Sequence, residues 1–544
     1  MSDWPLQMLY ESGKEEIMIG WISSQNELYA IFEPDHERNG NPESNAKVER
    51  KIKLCSEDEI SDMSDKRNEQ ESATTSVAIT KFDTGSRLAR QIAGTQDVDV
   101  EVIAPSPRRS STLTLLTTHN DYLRDALWRV HQKHIFILTR EGKPVYTLHG
   151  KEQNLSSIFH IIHYLVNLVA SRQDEIEAIE AQGRRYVFLV QPHLILAAIS
   201  RTSLSVEQLR MQLIDIYYQV LSILTFCNTE NAFKETRNYN LGRLSNGADT
   251  LIHRLATVDY NDRISKNIFA FLTNSVQILP LQSSIRSSIE DIIKKDCKKV
   301  RFLIFAILII DNQLVTLIRK RKHSINSTDF RLIFNYVETL TLSEGESVES
   351  RPFCLPRYDA EGYLYAHISY LSKTCPACLL FLSSKTDDFC DLTAIKKSIS
   401  NQLQKGEYFS AINGAIAKIK KSLLDPTAIG IPELRHFLYK PTYLQQLLCA
   451  EFSKPFNTFE KFRYLEDLYC KLFDRLHNRY CPLKFVYEAN ENEIKVGWTS
   501  NEHELYAVFD SSLEQTTAMQ YANKIVKWIR QEFDTLFIYQ YQTF

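Results

Sequence analysis

Few residues in this 544-residue chain have types and spacings suited to chemistry. Asp83-Thr84-Gly85 has the form of half an aspartic-protease site, but that chemistry needs two carboxylates sharing a proton, and the triplet occurs once, in a polar stretch. Chance explains it better. Histidine pairs at His131/His134 and His160/His163, with Cys375-x-x-Cys378, raise a zinc reading. Zinc takes four ligands, though, and a single CxxC without a second ligand pair does not supply them. His160 and His163 share a helix face, whereas His134 falls in a strand, so these histidines and cysteines read as structural and no metal is expected. No GxxxxGK[ST] phosphate loop, HExxH or GxSxG elbow occurs, which predicts neither P-loop nucleotide binding nor hydrolysis, no catalytic residue and no cofactor. One charged run remains: Arg319, Lys320, Arg321 and Lys322, followed by His323. Such runs are usually solvated loops; at a strand end they can also meet anionic lipid at about 1 kcal/mol per residue.

A net charge of −3 over the whole chain argues against global attraction to nucleic acid, and no nucleic-acid partner is expected. Hydrophobic residues at 44% and charged residues at 24% are ordinary for proteins with real cores. The opening MSDWPLQMLYESGKEE carries no basic leader, and the apolar run from Phe302 to Ile310 is far shorter than the roughly 20 residues that cross a bilayer. The 10 scattered cysteines fit a reduced compartment. A soluble cytosolic protein is the expectation.

Residues 1–118 read as a disordered regulatory tail, because residues 33–112 carry many charges and serines and few aromatics. Within it, EIMIGWISSQNELYAIF at 16–32 nearly repeats EIKVGWTSNEHELYAVF at 493–509. The later copy is followed by an amphipathic helix over 516–533, while the earlier one runs into polar sequence. An isolated two-stranded hairpin is marginal in water, so the first copy is not expected to fold alone. It reads either as a stray duplication or as a segment that adds to a sheet edge or displaces 493–509.

Beyond residue 118 the texture is globular. HIFILT and PVYTLH form a hairpin around REGK, a helix follows from Asn154, three strands come next near 176–179, 185–191 and 194–201, and Ser205 with Gln208 opens a second helix by a capping box. The same order returns from about Lys299, and less regularly toward the C-terminus. Returning hairpins favour antiparallel pairing, which gives an α/β layered fold. Three longin-like domains are expected at 119–228, 298–425 and 426–544, each an antiparallel sheet of about five strands with helices on both faces. A helical connector at 229–297 separates the first two.

At DYLRDALWRVHQKHIFILTREGKPVYTLHG, RRYVFLVQPHLILAAISRT, QLIDIYYQVLSILT, YNLGRLSNG, YAHISYL, GIPELRHFLYK and VKWIRQEFDTLFI the chain closely resembles the vacuolar fusion protein Mon-one, or SAND, family. That resemblance implies three longin domains and a Ccz-one-type longin subunit as partner. The pair would act as a guanine-nucleotide exchange factor for a late-endosomal Rab GTPase in endosome maturation and vacuole or lysosome fusion. It further implies peripheral association with endosomal and lysosomal membranes containing phosphatidylinositol 3-phosphate. A longin-domain trafficking adaptor without exchange activity is the alternative.

On the helix at 154–171, Leu155, Ile158, Ile162, Leu165 and Val169 form one face for the sheet. Phe159, Ile161, Val166 and Leu168 widen that stripe beyond what one buried face needs and are the candidates for the partner interface; another domain of the same chain is the plainer cover. Surface positions around Trp128, His131, Arg140 and Lys143 are the candidates to face the GTPase, and Arg319, Lys320, Arg321 and Lys322 the candidates to face lipid.

Overall fold

A computed structural model describes residues 7–12, 17–22, 27–32, 53–55, 126–181, 183–225, 248–258, 267–339, 347–372, 374–418, 429–478 and 481–544. The chain divides into two compact units, Met1–Asp125 and Ala126–Phe544.

In the first unit, β1 (Gln7–Ser12), β2 (Ile17–Ile22), β3 (Glu27–Phe32) and β4 (Lys53–Cys55) form a four-stranded antiparallel sheet in that order. Within it, β2 and β3 have a strand on either side, and pairing on both edges is what an isolated hairpin lacks. Asp83-Thr84-Gly85 lies outside the described residues.

The second unit opens with the short helix α1 (Ala126–Val130), then β5 (Lys133–Thr139) and β6 (Pro144–Thr147), the expected hairpin. A single 3-10 turn over Glu152–Leu155 precedes α2 (Ser156–Ala170), so Asn154 lies inside that turn and Leu155, not Asn154, stands at the N-cap. Strands β7 (Ala178–Ala181), β8 (Arg184–Val190) and β9 (Leu194–Ser200) follow, and the sheet order is β6-β5-β9-β8-β7. Helix α3 (Val206–Leu224) begins with both halves of the Ser205/Gln208 capping box.

Next come α4 (Ala248–Ala256), α5 (Asn267–Leu272), the two-residue β10 (Val276–Gln277) and α6 (Ser283–Cys297). The second sheet starts with β11 (Leu303–Ile310) and β12 (Gln313–Arg319). Asp311 and Asn312 join them with φ of 46° and 60°, the left-handed pair that a tight hairpin turn needs and that Asp and Asn tolerate. It continues through α7 (Ser327–Thr339), β13 (Ser347–Leu355), β14 (Asp359–Tyr370), β15 (Cys378–Ser383), α8 (Phe389–Lys405) and α9 (Tyr408–Lys418).

The third part was expected to be less regular, and here the structure differs. A hairpin of β16 (Leu434–Pro441) and β17 (Gln446–Cys449) precedes α10 (Phe459–Leu476). Then β18 (Phe485–Ala489), β19 (Glu493–Thr499), β20 (His503–Asp510), α11 (Gln515–Gln531), the short α12 (Phe533–Leu536) and β21 (Gln542–Thr543) complete the chain. All three parts thus share one order: hairpin, helix, three strands, helix.

Two of the sheets have six strands because the parts exchange edges. β10 pairs in parallel with β17 in the third sheet, and C-terminal β21 pairs in parallel with β12 in the second. The cores are likewise continuous. One face of the third sheet shares a cluster with α6, α8 and α11; the other shares one with α10, α3 and the first sheet. Helix α7 closes the remaining face of the second sheet.

Helix α3 is the hub. Gln208, Gln212, Asp215, Gln219 and Ser222 recur every three or four residues, a spacing that suits a solvent-facing stripe, yet all five are buried. Each is bonded to a distant segment: Gln208 donates to the Cys470 carbonyl at 2.9 Å, Gln212 to the Leu255 carbonyl at 2.8 Å, and Ser222 to the Cys354 carbonyl at 2.7 Å. Gln219 accepts from Asn335, and Asp215 accepts two bonds from the Arg331 guanidinium, at 2.9 and 2.5 Å. Buried polar groups matched this way fix relative orientation, since any slip leaves them desolvated and unpaired.

Candidate functional site

The first sheet and α2 hold most of the candidate positions, and they fall into two separate places. At the start of β5, Trp128 is only 3% exposed and its indole nitrogen donates to the His149 carbonyl at 3.0 Å. It is core, which corrects the reading of Trp128 as a surface contact. Its ring lies 4.0 Å from that of His134, and His131, which is exposed, stacks on His149 at 3.7 Å. Beneath them Lys133 is fully buried and donates to Gln212 at 2.9 Å.

Arg140 and Lys143 sit at the other end of β5, in the turn to β6. Seven strand residues separate the ends by roughly 20 Å, so His131 and the Arg140/Lys143 turn do not form one surface cluster. The turn is instead locked onto α2. Gly142 has φ +84°, and a Cβ there would meet the His163 ring at 2.8 Å. His163 Nε2 in turn lies 2.9 Å from the Arg140 carbonyl and 2.9 Å from Asn167 Nδ2. Only glycine permits both that backbone and that approach. Arg140 is exposed and Lys143 half-buried beside this helix.

Helix α2 itself divides the four interface candidates. Phe159 and Val166 are buried against the sheet, with Phe159 edge-on to Phe136 at 5.5 Å, so they pack within the chain rather than face a partner. The physical reason is a wider inner face than the periodicity indicated: Ile158, Phe159, Ile162, Leu165 and Val166 all turn inward. Ile161 and Leu168 remain half-buried, and Val169, expected inside, is also half-buried. Near them Tyr164 is 43% exposed.

The histidine group carries a pH consequence. Burial, then His149, His131 and Arg184, lower the pKa of His134 to about 3; burial, then His131, His253 and Lys133, lower that of His149 to about 4. Both rings stay neutral when folded and would be protonated when unfolded below about pH 6.5. Their stabilisation is therefore complete above pH 6.5 and is lost as pH falls toward 4, by about 1.4 kcal/mol per pH unit for each fully affected ring. Denaturant midpoints should fall between pH 7 and 5, and His134→Phe should flatten that slope. An unchanged slope would contradict the assignment.

The basic run is more embedded than a free loop. Arg319 ends β12 and its guanidinium donates to the His323 carbonyl; Lys320 Nζ donates to the Arg301 carbonyl at 3.0 Å. Arg321 and Lys322 are exposed. Bonds from Lys320 N to the Ile304 carbonyl and from Ser384 N to the Phe302 carbonyl set three loops side by side, which brings exposed Lys298, Lys299, Arg301 and Lys385 to the same end of the second sheet. Lys299 is paired with Asp296. Sequence reading missed this convergence, because the added cations lie 18 or more positions away. Among the described residues no group of three or more His, Cys, Asp or Glu could hold a metal, and no helix is long and apolar enough to cross a membrane.

Three mostly antiparallel sheets built in one repeated order and covered by helices define a protein of tandem longin domains. Family models for the first, second and third longin domains of FUZ, MON1 and HPS1 match residues 133–255, 301–401 and 433–533. The chain is 32% identical to vacuolar fusion protein MON1 homolog A of Gallus gallus over 470 residues, 84% of this chain and 83% of that one. It is 35% identical to protein SAND of Takifugu rubripes over 416 residues, 76% and 77% of the two chains. With MON1 homolog B of Mus musculus the identity is 31% over 432 residues, 76% of each. The chain belongs to the MON1 (SAND) family of vacuolar fusion proteins. Membership supports a role in vacuolar and endosomal trafficking.

Proposed function

We propose that this chain is one subunit of a heterodimeric guanine-nucleotide exchange factor, paired with a second, Ccz-one-type longin subunit and acting on a late-endosomal Rab GTPase. Family membership supports the trafficking context. The observation that carries the docking reading is the outer side of α2, where half-buried Ile161 and Leu168 flank exposed Tyr164 beside the Arg140/Lys143 turn. Apolar side chains left part-exposed at a helix surface gain from a partner that completes their burial.

Exchange of this kind needs no bond chemistry. The factor must bind the nucleotide-free GTPase better than the loaded one, so that each nucleotide's departure is favoured by the factor's own binding. Arg140 and Lys143 at one end of β5, and His131 at the other, are the candidates for that contact. Capture of a Rab protein stripped of nucleotide, compared with the same protein loaded with GDP, tests the premise. Equal capture removes it.

The basic end of the second sheet is the proposed membrane contact, on endosomes rich in phosphatidylinositol 3-phosphate. At about 1 kcal/mol per cation near an anionic surface, Arg321→Ala with Lys322→Ala should lower liposome binding about 10- to 30-fold at low salt. Sedimentation with vesicles containing or lacking the lipid checks this; unaltered binding excludes the patch.

A further inference from the structure

We propose that Ser324 is a phosphorylation site for a protein kinase that reads basic residues ahead of its target, and that the phosphate releases the basic end of the second sheet from anionic membranes. The inference rests on the membrane reading of that end and adds its regulation.

Residues 320–326 join β12 to α7. The first four form a turn closed by a bond from His323 N to the Lys320 carbonyl at 3.1 Å. Its third residue, Lys322, has φ +74°, where glycine is the residue that carries no strain. The turn is anchored at its base: the Arg319 guanidinium donates to the His323 carbonyl, and His323 Nδ1 lies 2.6 Å from the Tyr358 hydroxyl. Beyond it Ser324, Ile325 and Asn326 have no regular secondary structure, and the Asn326 side chain accepts from Thr328 N at 3.0 Å where α7 begins. Ser324 is thus an exposed serine on a short irregular span between two fixed residues. Ser327 is 1% exposed and its hydroxyl is bonded to Asn274 at 3.1 Å, so the loop presents one serine and withholds the other.

The neighbours of Ser324 supply what such a kinase reads. Arg321 stands three positions before it, Lys322 two before and Ile325 directly after. Arg321 and Lys322 are exposed, and Ile325 is half-buried. A substrate cleft lined with carboxylates takes the guanidinium through paired hydrogen bonds and the neighbouring ammonium as a point charge, while an apolar pocket takes the residue that follows the serine. Charge patterns of this kind are how kinases discriminate among substrates. Straightening the turn for that cleft relieves the left-handed backbone at Lys322, which lowers the cost of presenting the segment.

In the transfer step Ser324 Oγ attacks the γ-phosphorus of a nucleoside triphosphate held by the kinase. The Oγ–P bond forms as the bond from that phosphorus to the β–γ bridging oxygen breaks, the hydroxyl proton passes to the kinase's catalytic aspartate, and the nucleoside diphosphate leaves. The product carries about −1.5 to −2 charge at neutral pH. Arg319 and Lys320 are tied to carbonyls, and the exposed cations of the run are Arg321 and Lys322. One phosphate two and three residues away offsets both charges and accepts hydrogen bonds from them in place of a lipid headgroup.

The test uses the full-length chain with Ser110→Ala and Ser111→Ala, which removes the serines that follow Arg108-Arg109. It is treated with the catalytic subunit of cyclic-AMP-dependent protein kinase and ATP, and mass spectrometry should find phosphate on Ser324 in most molecules. The treated chain should bind vesicles containing phosphatidylinositol 3-phosphate about 10- to 30-fold more weakly than the untreated chain at low salt, the same loss as Arg321→Ala with Lys322→Ala, and phosphatase should restore binding. Ser324→Ala should bind vesicles as the untreated chain does and lose nothing on treatment. The proposal is overturned if Ser324 stays unmodified in the folded chain under conditions that phosphorylate a peptide of residues 318–328. It is also overturned if the phosphorylated chain binds like the untreated one while the double alanine variant still loses binding, a result that leaves the membrane reading standing. Binding insensitive to both changes would remove the membrane reading and the switch with it.

Discussion

With Ile161 and Leu168 both changed to glutamate, the chain is expected to lose co-purification with the proposed second longin subunit, the affinity falling at least about 100-fold. Each apolar side chain taken from half-buried to fully buried contributes on the order of 1 kcal/mol, and each introduced carboxylate must be desolvated in the interface, which costs more than the contact it replaces. Two such sites together exceed the roughly 2.8 kcal/mol that 100-fold requires. The chain's own unfolding midpoint should move little, because neither residue is in the sheet-facing core. Phe159→Ala should do the reverse: about 3–5 kcal/mol of folding stability is lost from a ring packed on Phe136. Normal co-purification of the double glutamate variant would remove α2 from the interface.

Arg286→Met should destabilise the second unit by about 3–5 kcal/mol. The side chain is 4% exposed and its guanidinium donates to four carbonyls, those of Leu279 at 2.9 Å, Asp534 and Phe537 at 3.1 Å, and Thr535 at 3.3 Å. Burial lowers its pKa to about 10, which still leaves it charged at neutral pH. Its removal strands carbonyls at the end of α12 and loosens the tail that runs on to β21. Each buried group left unsatisfied costs about 1–3 kcal/mol. Lysine keeps the charge but cannot reach carbonyls on both sides of a planar fork, so Arg286→Lys should rescue only in part. Equilibrium denaturation measures the loss, and hydrogen exchange should place it at residues 533–544 and along β12. A change below about 1 kcal/mol would contradict the role given to this clamp.

Much of the fold is legible in local pattern. The β11–β12 hairpin declares itself through the apolar runs on either side of Asp311-Asn312, and α3 through Ser205 and Gln208. What escapes sequence reading is whatever depends on distant partners. β10 and β21 are two residues each, too short for any period, and exist because a neighbouring sheet offers an edge. β16 and β17 escape because Lys440, Pro441 and the Tyr443–Gln445 turn break the alternation. The polar stripe of α3 suits a solvated face until Arg331, Asn335 and the Cys470 carbonyl are seen opposite it. Trp128 fails as a surface candidate for a related reason: its indole hydrogen bond goes to a residue 21 positions away. The half-exposed side of α2 is legible as excess apolar width, although the division between Phe159 and Ile161 needs the packed sheet.

The central claim is that this chain and a second longin subunit together promote nucleotide release from a late-endosomal GTPase. Release of fluorescent GDP from a panel of Rab proteins, measured with this chain alone, with the second subunit alone and with both, tests it most directly. Acceleration of one late-endosomal Rab only when both subunits are present is the predicted result. Release at the intrinsic rate for every Rab, despite a stable complex of the two subunits, would contradict it.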